Sequence, residues 1–216
     1  MRPGGWRRRD QPSSAQHPRS GEVQLLLDAL TRRLPSAPPP LQLRVVHGLP
    51  GDTHLHHRPG RSPEVHVTDQ LLDRAPTHVV SGALAHELAH LLNDDRNRRR
   101  RYGLALTAAV STLLAVAVAL PSARDWLSPL TSALGLGLLT ASRRLEFQAD
   151  STSLRLVDVD QAVTALTWLQ HDAQFPDSPA ATRWSPLRRL AQCELLSTHP
   201  NPARRLRALR RASSGG

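Results

Sequence analysis

Lysine is absent from this chain of 216 residues, so every one of its 28 basic side chains is an arginine, set against 18 acidic residues for a formal charge of +10. An arginine excess suits phosphate groups on lipid or nucleic acid equally well, and charge alone does not choose between them. Aromatic residues make up only 3%, which leaves the core to Leu, Val and Ala. With 18 prolines and 12 glycines, that composition argues against a β-sandwich or propeller. The single cysteine, Cys193, excludes an internal disulfide and a Cys-rich zinc finger, so a bound metal would need His and carboxylate ligands. The first twenty residues have no apolar run of the kind a secretory signal requires, and they are expected to form a disordered basic tail on the cytoplasmic side.

Beyond that tail the chain is patterned. Val23, Leu26, Leu27, Leu30 and Leu34 recur at helical spacing after Ser20, an apt N-cap, and before Pro35. Residues 41–46 and 64–68 alternate as short strands do, separated by a Gly/Pro/His segment. His54, His56 and His57 in that segment lack the regular spacing of a rigid site and are expected in a flexible loop over a cleft. Pro76 suits the first turn of a helix reaching about Asn93. Further helices are expected from Arg143 to about Val157, from Asp160 to Gln170, over 180–197, and from Pro202 to Arg211.

Five arginines between Arg96 and Arg101 precede Gly103–Leu120, 18 residues without charge. As a helix this stretch covers about 27 Å, close to bilayer hydrocarbon thickness. After a polar break, Trp126–Ser142 is uncharged for 17 residues but contains Pro129, Gly135 and Gly137. Arg143 and Arg144 come next, so the positive-inside rule puts both ends of a two-span hairpin, with the rest of the chain, in the cytoplasm. The competing reading is a pair of buried helices in a soluble core.

His86-Glu87-Leu88-Ala89-His90 places two imidazoles at i and i+4 on one helical face, able to share a metal, with Glu87 in reach of its open position. Zinc needs a third protein ligand. Glu146 is the best candidate, because a hairpin returns the chain to the side it left. Asp150, one turn later, is placed to support a ligand histidine. The alternative for Glu146 is a surface carboxylate paired with Arg143 or Arg144.

HELAH, the hydrophobic hairpin, SRRLEFQAD (Ser142 to Asp150) and STHPNPARRL (Ser197 to Leu206), in this order, resemble the HtpX-like and CAAX prenyl protease family of membrane zinc endopeptidases. The likeness runs over roughly residues 41–210, with EVHVTDQLLD matching the strand and short helix before the active-site helix. It implies a mainly α fold with a small β element, a zincin-like domain interrupted by a transmembrane hairpin. It implies one Zn2+ per chain held by His86, His90 and Glu146, Glu87 as general base, and Asp150 in support. His199 and Arg205 would match the final motif, either of them supplying an oxyanion donor. Two departures stand out: the first seventy residues hold no membrane helix, and Asn201 occupies a position where Pro or a small residue is common.

The chain then divides into a basic tail (1–20), the first part of a catalytic domain (21–102), the hairpin (103–142), the second part (143–211) and a short tail (212–216). The expected partners are protein or peptide substrates, held by edge pairing along strand 64–68, and the lipid membrane, with nucleic acid disfavoured. The expected activity is hydrolysis of membrane or misfolded proteins at the cell membrane. The rival is an inactive membrane adaptor that retains a structural metal site.

Overall fold

A computed structural model describes residues 17–35, 39–47, 53–56, 61–174 and 200–214. The expected helix over 180–197, with Cys193 and His199, lies outside the described residues, as do residues 1–16 and His57. The order is α1 (Ser20–Thr31), β1 (Gln42–Val46), β2 (Thr53–His56), β3 (Glu64–Thr68), α2 (Asp69–Arg74), α3 (Thr77–Leu92), α4 (Asp95–Ala119), a 3-10 turn (Pro121–Trp126), α5 (Leu127–Ser153), α6 (Val159–Gln174) and α7 (Pro202–Ser214). The fold is mostly helical with one small sheet, as expected.

The three strands are ordered β1-β3-β2, with β1 parallel and β2 antiparallel to β3. The sheet departs from two expectations. His54 and His56 belong to a strand, not to a loop, because residues 53–56 pair with 64–67 through Thr53↔Val67 to His56↔Glu64. Residues 64–68 form the central strand with both edges occupied, so they have no edge to offer an extended peptide; the outer strand nearest α3 is β2.

Helix α3 is the axis of the molecule. Val79, Val80, Leu84 and Leu88 are fully buried, and so is most of the rest of its surface, as expected of a helix that is apolar all round. Its small residues let neighbours come close: a Cβ added to Gly82 would stand 2.6 Å from the Ala165 side chain and 2.8 Å from the Gln161 carbonyl oxygen on α6. α1 contributes Val23 and Leu27, β3 contributes Val65 and Val67, and α7 contributes Leu209 to the same core. Local caps fix the entries. Thr68 accepts from the Leu71 N–H of α2, Asp158 accepts from Gln161 N–H at 2.7 Å, and Asn201 accepts from Ala203 N–H at 2.9 Å. Asn201 thus caps α7, with Pro202 at its first position, a use for the residue that departs from the family pattern.

The hairpin consists of α4 and α5 packed together. Each helix runs unbroken between the apolar stretch and the domain below it: α4 begins at Asp95, through the arginine run, and α5 continues past Ser142 to Ser153. Among the described residues, one helix, α4, is long and apolar enough to cross a membrane. α5 is long enough, but Pro129, two glycines and several Ser and Thr residues dilute its apolar part. The reading of these stretches as buried core helices is not what the structure shows, since Leu104, Leu114, Val118 and Leu136 are each more than half exposed.

Candidate metal centre

HELAH occupies the last two turns of α3, where the i, i+4 spacing puts His86 and His90 on one face with their Nε2 atoms 3.2 Å apart. α5 packs along that face and delivers Glu146, only 2% exposed, with Oε2 3.6 Å from His86 Nε2 and Oε1 3.8 Å from His90 Nε2. Ligand atoms of the three residues lie within 4.8 Å of one another. Bonds of about 2.0–2.1 Å in tetrahedral geometry set ligand atoms about 3.3 Å apart. The three side chains therefore fit a zinc-sized ion with shifts of a few tenths of an ångström. Two imidazole nitrogens facing each other at hydrogen-bond distance also call for a proton or a cation between them.

The other ring nitrogens are held from behind, which aims each Nε2 inward. His86 Nδ1 is 3.1 Å from Asp150 Oδ1, and His90 Nδ1 is 2.7 Å from Asp95 Oδ2. Asp150 is gripped in turn by Arg205 of α7, whose Nε and Nη2 donate to its two oxygens at 2.8 and 2.6 Å. The Arg205 guanidinium also comes within 3.4 Å of both His86 ring nitrogens. Two of its nitrogens are thus committed to Asp150.

Sequence reasoning missed Asp95. The signal was the Asn93-Asp94-Asp95 run after the second histidine. Asp94 takes the left-handed conformation, φ 54°, and this reversal starts α4 so that Asp95, 2% exposed, points back at His90. Thr152 of α5 braces the turn by donating to Asn93 Oδ1 at 3.0 Å. Arg99 was likewise not singled out; it donates to Glu146 Oε1 at 2.7 Å. Glu146 is buried and faces two imidazoles, so the surface-carboxylate reading of that residue falls away.

These contacts set the electrostatics. Burial pulls the His86 imidazole down, but its hydrogen bonds to Asp150 and Glu146 outweigh burial and hold its pKa up at about 9. Burial opposes ionisation of Asp150 too, yet Arg205 and His86 keep its carboxyl below the usual range. Glu87 is displaced the other way, upward, chiefly by burial. Its Oε2 accepts the Leu55 N–H of β2 at 2.7 Å, and its carboxylate opens on a cavity of about 460 Å³ that also reaches His90 and Glu146.

The arrangement is two histidines, a carboxylate from a later helix and a raised-pKa Glu, in a cleft between a strand and a helical hairpin. The profile of Peptidase family M48 matches residues 57–213, which takes in all of these side chains. The chain belongs to peptidase family M48. It is 30% identical over 187 aligned positions to Protease HtpX of Legionella pneumophila (strain Corby), covering 70% of this chain and 64% of that protein. It is 23% identical over 215 positions to Protease HtpX of Actinobacillus pleuropneumoniae serotype 5b, covering 90% of this chain and 74% of that one. The chain thus spans about 64% of the length of the Legionella relative. The crystal structure of S. mikatae Ste24p shares the fold, with a TM-score of 0.59 over 92% of this chain and 50% of that one at 17% identity. The M48 chain thus has an HtpX-like sequence and a Ste24p-like fold.

Proposed function

We propose that this M48 chain is a membrane-anchored zinc endopeptidase that hydrolyses peptide bonds of membrane or misfolded proteins. The observation that carries the reading is the convergence of His86 Nε2, His90 Nε2 and the Glu146 carboxylate beside a buried Glu87 that opens on a cleft. A structural metal site in an adaptor needs no such cleft. In this reading the three residues hold one Zn2+, Asp150 and Asp95 orient the two imidazoles, and Arg205 positions Asp150.

The bound zinc would supply a Lewis acid that lowers the pKa of water and polarises the scissile carbonyl. Glu87 takes the proton of the attacking water on its carboxylate and later hands it to the leaving amine. Its raised pKa suits both halves of that transfer, because a carboxyl that is too acidic returns protons poorly. The Leu55 N–H holds Glu87 Oε2 on the β2 side of the cleft. Asp150 holds two of the Arg205 nitrogens, and the third, Nη1, or His199 would supply the oxyanion donor, the role the family resemblance gives to either.

The α4–α5 hairpin is read as the membrane anchor, with the arginine-rich ends and the catalytic side chains in the cytoplasm. The exposed apolar surface of α4 supports this, since lipid would cover what the protein leaves bare. The deciding experiment is Glu87→Gln: metal content stays at the parent level while hydrolysis of a casein-type substrate falls by orders of magnitude. Undiminished hydrolysis would remove Glu87 from the mechanism, and loss of metal would make it a ligand.

A further inference from the structure

The cleft beside Glu87 is walled on one side by β2 and on the other by the first turns of α4, which bring Arg96 and Arg99. Each of its acidic groups already has at least one partner. Glu87 accepts from Leu55 N–H, Asp95 is held on His90, Glu146 faces two imidazoles and Arg99, and Asp94 accepts from Asn97 Nδ2 at 2.8 Å. The cations are not used up. Arg99 commits one nitrogen to Glu146 and keeps a side chain 44% exposed. Arg96 is exposed and, among the described residues, its side chain has neither a hydrogen bond nor an ion pair.

Arg96 and Arg99 are one turn apart and so share a face of α4. The apolar stretch of that helix begins only at Gly103, about 10 Å further along the axis from Arg96. Arg96 therefore stands on the cleft wall short of the level where lipid headgroups would meet the span, whereas Arg99, about 6 Å from Gly103, lies at its edge. A guanidinium's planar fork of donors matches a carboxylate better than any other group a peptide carries.

We infer that Arg96 and Arg99 form a subsite for a carboxylate side chain, so that the cleft selects peptides with Asp or Glu close to the bond presented to Glu87. The inference rests on the peptidase reading of the cleft but can fail separately from it. Arg99 has a second duty at Glu146, which makes Arg96 the cleaner probe.

The test uses the full zinc-loaded chain in detergent with Glu87→Gln, so that binding is read without turnover. Labelled peptides carry Glu, Gln or Lys at each of the two positions on either side of a central Leu-Leu bond. At low salt the Glu peptide should bind about three- to tenfold tighter than its Gln counterpart at one or more positions, with the gap closing as salt rises. Adding Arg96→Glu should invert the ranking in favour of Lys. Equal binding of the three peptides overturns the subsite, as does a ranking that Arg96→Glu leaves untouched. The same variant scored on anionic-lipid nanodiscs tells the rival use: weaker lipid attachment with an unchanged peptide ranking assigns these arginines to headgroups and rejects the inference. Cleavage of the same peptides by the wild type separates the two readings. Turnover without preference removes the subsite and keeps the peptidase, whereas a retained Glu preference without turnover faults the peptidase and keeps the subsite.

Discussion

Asp95 Oδ2 lies 2.7 Å from His90 Nδ1, across a chain reversal set by a single left-handed residue. The contact ties the end of the HELAH helix to the start of the apolar helix, so the segment that would enter the membrane also orients a histidine of the candidate site. Asp150 does the same for His86 from the far helix of the hairpin. Both imidazoles are thus steered by carboxylates belonging to the two halves of one hairpin.

Removing this support should weaken the metal without abolishing it. Asp95→Ala is expected to lower zinc affinity about 10- to 100-fold, and Asp95→Asn, which keeps an acceptor for His90 Nδ1–H, by less. Competition titration against a chelator of known affinity reads both. An unchanged affinity in Asp95→Ala would mean that the His90 contact plays no part in binding.

His86 gives a pH signature. Its pKa of about 9 without metal stands above the ordinary 6.5, so at pH 7 the metal-free protein carries a proton there. Zinc must displace it, because only the neutral imidazole is a ligand. Calorimetric titration in buffers of different ionisation enthalpy should show about one proton released from this residue per zinc at pH 7, the release declining as pH rises through about 9. The sign for the metal-free fold is the same: this stabilisation is complete below 6.5 and is lost as pH climbs through about 9.

Gly82→Ala tests the seat of α3. The added methyl would meet the Gln161 backbone oxygen at 2.8 Å, and backbone yields less readily than a side-chain end. Overpacking of this kind costs about 1–3 kcal/mol, which for a chain of this size lowers the melting temperature by several degrees. Thermal unfolding measures it, and an unaltered midpoint would mean that α6 stands further from α3 than described.

At Asp94 the expectation is reversed. A left-handed residue with a Cβ carries a cost of about 1 kcal/mol, so Asp94→Gly should stabilise the protein or leave it even, the lost Asn97 contact being an exposed one. Destabilisation by more than a few tenths of a kcal/mol, read by the same melt, would contradict the account of the turn.

How much of this was legible in the sequence depends on the range of each interaction. His86, Glu87 and His90 could be read because helical spacing alone puts two rings on one face. Glu146 and Asp150 needed one more step, the return of a hairpin, and α5 brings both beside His86. The pairing of strands was out of reach: β3 lies between β1 and β2 through contacts between distant segments, and Thr53-His54-Leu55-His56 has too few apolar residues to announce a strand. Asp95 and Arg99 were passed over because an Asp-Asp pair and an arginine run look like solvated chain until the turn at Asp94 folds them inward.

The most direct measurement is the first coordination shell of zinc in the purified full chain, by metal analysis and X-ray absorption. One zinc per chain is expected, with only nitrogen and oxygen neighbours at about 2.0–2.1 Å, and substoichiometric metal in both His90→Ala and Glu146→Ala. Full zinc retained in Glu146→Ala, with an unaltered shell, would contradict that expectation.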